Sequence, residues 1–112
     1  MCGIDFVMAV TVKEAEKAEK YVHFDERIHD YLRKRENNQS IDFNLLLSLN
    51  PYGDKIIFTK DIPDLINNCE KILLKYNSKE DIEREVRNFA SELKEFCKEA
   101  IILKKHIFAL GD

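Results

Sequence analysis

Lys79 to Leu103, KEDIEREVRNFASELKEFCKEAIIL, is the stretch that decides the fold. Ile82, Val86, Phe89, Ala90, Leu93, Phe96, Cys97, Ala100 and Ile101 recur three or four residues apart, which gathers them on one helix face. A continuous helix over about 79–103 would run roughly 37 Å at 1.5 Å per residue, the width of a small domain. Just upstream, Ile62, Leu65, Ile66, Cys69, Ile72, Leu73 and Tyr76 form a second stripe of the same period. Asp61 is placed as its N-cap and Pro63 falls in its first turn. Asn77 ends that helix, and Ser78 with Asp81 imitates a capping box. A link this short leaves one arrangement, an antiparallel hairpin of the 61–76 and 79–103 helices.

Outward from the hairpin the pattern is less uniform. Residues 24–36 put Phe24, Ile28, Tyr31 and Leu32 on one face, and Asn37-Asn38-Gln39-Ser40 breaks the run. From Val12 the chain turns to helix formers, with Thr11 and Glu14 spaced as a capping box and Glu16 four residues before Lys20. Residues 41–49 alternate like a strand, but their leucines favour a short buried helix. Ile4, Phe6, Met8 and Val10 alternate at period two, as a strand over 3–11 requires. Residues 56–59 and the tail around 106–110 also read as extended, and the tail is suited to pair with the first strand. The expected architecture is mainly α: one domain over 1–112, its C-terminal hairpin packed on the 12–36 helical region. The alternative is α+β, with a small sheet from 3–11, 56–59 and 106–110.

Composition excludes more than it assigns. The 112 residues carry a net charge of −3, which gives no basic face for nucleic acid. No apolar run approaches the roughly 18–20 residues that cross a bilayer, and Asp5 interrupts the N-terminal apolar stretch. Three cysteines without paired spacing argue against a disulfide framework, and Cys69 and Cys97 lie on apolar helix faces. These features suggest a cytoplasmic protein needing no cofactor.

The chain contains few constellations suited to chemistry. Met1-Cys2-Gly3-Ile4 resembles the start of N-terminal-nucleophile glutamine amidotransferases, which carry out catalysis in a far larger layered domain. The simpler reading of Cys2 is a small residue tolerated ahead of a strand. His23, Asp25, Glu26, His29 and Asp30 form the one compact cluster of metal-capable groups, but the two histidines are six apart, on different helix faces. A solvated, salt-bridged helix face accounts for it. Arg33-Lys34-Arg35 and Lys104-Lys105-His106 sit near helix C-termini, where cations oppose the macrodipole. Glycine-rich phosphate loops, nucleophile elbows and Cys-x-x-Cys pairs are absent. The expectation is no catalytic residue and no metal site.

Leu49-Asn50-Pro51-Tyr52-Gly53-Asp54 is the densest turn signal in the chain. Pro51 presets φ, Gly53 tolerates a positive φ, and Asn50 and Asp54 are placed to bond nearby amides. Tyr52 at its tip reads either as an exposed anchor for a partner or as a ring folded back on Phe58. From this turn onward the chain resembles a group of small bacterial proteins. They share the Leu-Asp/Asn-Pro-Tyr-Gly-Asp turn, an apolar extended step, two helices and a terminal aromatic-x-x-Gly-Asp. Here these are Leu49–Asp54, Ile56–Phe58, Ile62–Tyr76, Ile82–Ile102 and Phe108–Asp112, with a Gly3–Phe6 start that is similar too. Asn50 departs from the frequent Asp.

The resemblance carries no fixed activity but is consistent with immunity proteins that accompany bacterial toxins. Together with the missing catalytic constellation and the acidic balance, it suggests a non-enzymatic interaction module binding a protein partner such as a toxin. Tyr52 on the turn and the acidic Asp54, Asp61 and Asp64 are the expected contacts, and charge and hydropathy point away from a nucleic-acid or membrane partner. The alternative is a small ligand- or metal-dependent enzyme using Asp5, His23, Asp25 and His29. A homodimer through leftover apolar surface such as Ile102 and Leu103 is a third reading.

Overall fold

The structure, a computed structural model, describes residues 3–36 and 43–111. The readings that involve Cys2, the 37–40 break, Ile41 and Asp112 lie outside those residues. The elements run β1 (Gly3–Ala9), α1 (Val12–Glu16), β2 (Val22–Asp25), α2 (Glu26–Glu36), α3 (Asn44–Leu47), β3 (Asp54–Ile57), α4 (Ile62–Lys75), α5 (Asp81–Ile102) and β4 (His106–Gly111). The strands form one four-stranded antiparallel sheet in the order β2-β1-β4-β3. The first and last strands are its centre, with Phe6 opposite Ala109 and Val7 opposite Phe108.

Alternation along the strands divides the sheet into two faces. Ile4, Phe6, Val22, Phe24, Ile57, Ile107 and Ala109 belong to the main core, which α2 to α5 complete with Leu65, Ile72, Val86, Phe89 and Leu93. Phe24 stacks on Phe89 with ring centroids 4.3 Å apart and planes 8° from parallel. Val7, Ala9 and Phe108 point to the other face and form a small buried cluster with Ala15, with Ala18 and Leu110 beside them.

The α4–α5 hairpin is as the stripes require: Ile62, Leu65, Cys69, Ile72 and Tyr76 are buried against Val86, Phe89, Ala90, Leu93, Phe96, Cys97 and Ala100. The α+β alternative describes the sheet, while the expectation of a helical 12–36 region needs correction. Only five residues form α1, and Val22–Asp25 is a strand. Phe24 fits a helix face with Ile28 and Leu32, yet it reaches the same core from the strand. Four backbone pairings along β1 override the local pattern there.

Helix ends differ from the sequence reading in two places. A 3-10 turn over Thr59–Asp61 precedes α4, and it holds Asp61 at φ −100° and ψ −8°, where its side chain makes no cap bond. At α5, Glu83 takes the role expected of Asp81: its Oε1 accepts from the Ser78 amide at 3.1 Å, and Ser78 Oγ accepts from the Glu80 amide at 3.3 Å. The helix therefore starts at Asp81 and runs 22 residues, about 33 Å. It ends in a Schellman-type cap, the Lys105 amide donating to Ala100 O at 2.9 Å. Lys104 occupies the left-handed position at φ 57°, where glycine is usual. The α1 cap forms as read, with the Glu14 amide donating to Thr11 Oγ1 at 3.2 Å.

Candidate functional site

The Pro-Tyr-Gly-Asp turn and the last described glycine interlock. Asn50 Oδ1 accepts from the Tyr52 amide at 2.9 Å, and the Gly53 amide donates to Asn50 O at 3.1 Å. The Gly111 amide then donates both to Gly53 O at 3.0 Å and to Asp54 Oδ1 at 3.1 Å. A Cβ on Gly111 would stand 2.6 Å from Pro51 O and closer still to Gly53 O, so only glycine fits beneath the turn. Gly53, by contrast, would meet only the Asn50 side chain, at 3.4 Å, and its φ is not positive. The turn needs glycine at 111 rather than the left-handed glycine expected at 53. Arg33 of α2 donates to Leu49 O at 2.8 Å and fixes the entry to the turn.

This clasp joins two motifs far apart in sequence, and it separates the expected contact residues. Asp54 is exposed, but its carboxylate holds Gly111. Tyr52 stands free of the fold at 70 % exposure. It does not fold back on Phe58, whose ring instead meets His106 edge-on at 5.3 Å. Asp61 is half-buried in the 3-10 turn and Asp64 is exposed on the first turn of α4. Both lie between four and seven residues past the end of β3 in the chain.

Of the four residues in the alternative enzymatic reading, the structure unites two. Asp5 and His23 are opposed across β1 and β2, with Oδ1 and Nδ1 2.6 Å apart. His23 Nε2 is covered and without a partner among the described residues, and a Cβ added at Gly3 would lie 3.0 Å from it. Asp25 Oδ1 accepts from the Arg27 amide at the start of α2. His29 lies on the core side, 4.6 Å from the Phe24 ring. Burial pushes its imidazole down to about 4 and the nearby Arg33 adds to the effect, so it is neutral at pH 7. No group of three or more metal-capable side chains assembles among the described residues. Burial also raises the thiols, Cys97 to about 12, so Cys69 and Cys97 are not nucleophiles at neutral pH.

A polar cluster that the sequence gives little sign of ties α2 to the α4–α5 loop. Tyr31 donates to Glu83 Oε2 at 2.9 Å, Tyr76 donates to Glu36, and Arg87 donates to the carbonyls of Tyr76 and Ser78. Burial opposes ionisation of Glu83, but the Ser78 amide and the Tyr31 hydroxyl hold its carboxyl below the usual range. The cluster is architectural: its bonds join α2 to the loop and start of α5, and Lys75 of α4 adds an ion pair to Glu36 at 2.7 Å.

Two surface clefts flank β3. One of about 200 Å3 lies under the turn among Ile4, Ser48, Asn50, Gly53, Lys55 and Ala109. The other, about 250 Å3, opens on the outer sheet face between Val12 and Glu16 of α1 and Ile56, Phe108 and Leu110. Compared with known proteins, the chain matches no family model, no curated sequence and no solved structure.

Proposed function

We propose that the protein is a non-enzymatic protein-interaction module of the immunity-like kind, which masks a bacterial toxin, and that Tyr52 is its anchor. The observation that carries this reading is a tyrosine 70 % exposed on a turn whose backbone is held from both sides. A ring presented on a preorganised loop loses little conformational freedom on binding, and tyrosine is enriched at interface hot spots. Asp61 and Asp64 lie nearby along the chain, where they would steer a basic partner. The His23–Asp5 pair supports a binding role over a catalytic one, since the nitrogen it would present is covered. Action in the cytoplasm belongs to the same proposal; among the described residues no helix is long and apolar enough to cross a membrane.

The test is affinity capture from the native host with mass spectrometry, using Tyr52→Ala as the paired bait. Tyr52 is the right position because Asp54→Lys would also break the clasp. A stoichiometric partner that Tyr52→Ala weakens by tenfold or more supports the reading, at about 1.4 kcal/mol per tenfold. Full retention by Tyr52→Ala, and by Asp61→Lys with Asp64→Lys, removes it. A homodimer is favoured by one observation, the exposure of Ile102 at 77 % and Leu103 at 50 % at the end of α5. A solution mass of 13.2 kDa independent of concentration would exclude it.

A further inference from the structure

The sheet has two edges, and they are finished differently. On β2 every residue is buried or half-buried. On β3, Asp54, Lys55 and Ile56 are all exposed and only Ile57 is buried. The bond from the Gly111 amide to Gly53 O marks residues 53 and 111 as a hydrogen-bonded pair. Antiparallel alternation then turns the backbone groups of Lys55 and Ile57 toward β4 and those of Asp54 and Ile56 outward. The Thr59 amide continues the inward series, donating to His106 Nδ1 at 3.0 Å. Among the described residues these outward amides and carbonyls have no partner, and such an exposed row is a template for one kind of occupant, another extended backbone.

The side chains on that edge specify the occupant further. Asp54 and Ile56 face the outer side of the sheet, where the 250 Å3 cleft adds Glu16, Val12 and Phe108. Lys55 faces the other side, and neither Lys55 nor Glu16 has an ion-pair partner among the described residues. We infer that β3 accepts an extended segment of a partner protein as a fifth, antiparallel strand. That segment reads apolar–acidic–basic opposite Ile56, Lys55 and Asp54. The apolar residue closes over Ile56, the acidic one meets Lys55, and the basic one lies toward Asp54 and Glu16. Opposite-charge and apolar cross-strand pairs favour this register over its charge-swapped form. A second copy of β3 fits less well: pairing Asp54 with Ile56 of the copy sets Lys55 against Lys55, and pairing Ile56 with Ile56 leaves Lys55 opposite Ile57 with no acidic partner. The inference rests on the interaction reading above and names the partner's docking mode.

The test fuses a strand after Asp112 through a flexible Gly/Ser linker of about 12 residues, long enough to reach the edge at millimolar effective concentration. One fusion carries Thr-Val-Glu-Lys-Thr and the other Thr-Val-Lys-Glu-Thr, the same composition with the charges exchanged. Hydrogen exchange at the Asp54 and Ile56 amides is read by NMR. Slowing of tenfold or more with the first strand, and clearly less with the second, supports the inference. No slowing with either, or equal slowing with both, overturns it. A second arm uses whatever partner Tyr52→Ala releases: Ile56→Lys, which keeps the backbone but places a charge on the edge, should release it too. A partner lost from Tyr52→Ala but fully retained by folded Ile56→Lys leaves the interaction module standing and sinks the edge.

Discussion

The two faces of the sheet carry different obligations. The inner face is sealed by four helices and holds the Phe6, Phe24 and Phe89 rings within 4.3–6.3 Å of one another. Among the described residues, the outer face is covered by the five-residue α1, whose one buried residue is Ala15. Close packing on one side and a partial lid on the other assign stability to the first and leave surface for use on the second. The polar pairs follow the same division: His29 inside is desolvated, while Asp5 and His23 outside remain 49 % and 30 % exposed.

Substitutions should break this contrast in a definite order. Phe24→Ala removes the ring between Phe6, Phe89 and His29 and should cost about 3–5 kcal/mol in urea denaturation. A loss below about 1 kcal/mol would mean that the aromatic stack does not hold the inner layer together. His29 comes next. Its imidazole titrates near 6.5 when unfolded and near 4 when folded, so between those values only the unfolded chain binds the proton. The contribution is therefore complete above about pH 6.5 and is lost as pH falls toward 4, about 3 kcal/mol in all. Denaturation from pH 7 to 4 measures it, and His29→Leu should flatten that slope.

Smaller effects belong to the outer face. Phe108→Ala should cost about 1–2 kcal/mol, less than Phe24→Ala, because the space it vacates adjoins an open cleft. Equal losses at the two phenylalanines would erase the distinction between the faces. Asp5→Asn removes a half-exposed pair and should change stability by no more than about 1 kcal/mol. At the end of α5, Lys104→Gly should raise stability by about 0.5–1 kcal/mol, since glycine adopts the left-handed cap without steric cost.

What could be read from the sequence follows how local each signal is. The α4 and α5 stripes span many turns and fix both helices and their antiparallel pairing. β2 could not be read because four residues support either period, and Phe24 fits both. Asp61 looks like a cap from its neighbours alone; the 3-10 turn that disqualifies it depends on how β3 leaves the sheet. The two halves of the clasp were each visible, as a turn and as a terminal glycine. Their meeting was not, because residues 54 and 111 are 57 apart and only the sheet aligns them. The Asp5–His23 pair is hidden for the same reason, since it exists only through the β1–β2 register.

The central position of β4 also orders events in time. A ribosome delivers β1 well before β4, so β1 has β2 alone beside it until β4 emerges. The hairpin of α4 and α5 is local and can form while the sheet is still half built. Until then the nascent chain carries an open hydrophobic edge on β1, which pairing with β4 closes as Gly111 enters beneath the turn. Chaperone dependence should consequently track translation of β4, and a chain stalled before His106 should be a better protease substrate than any point mutant described above.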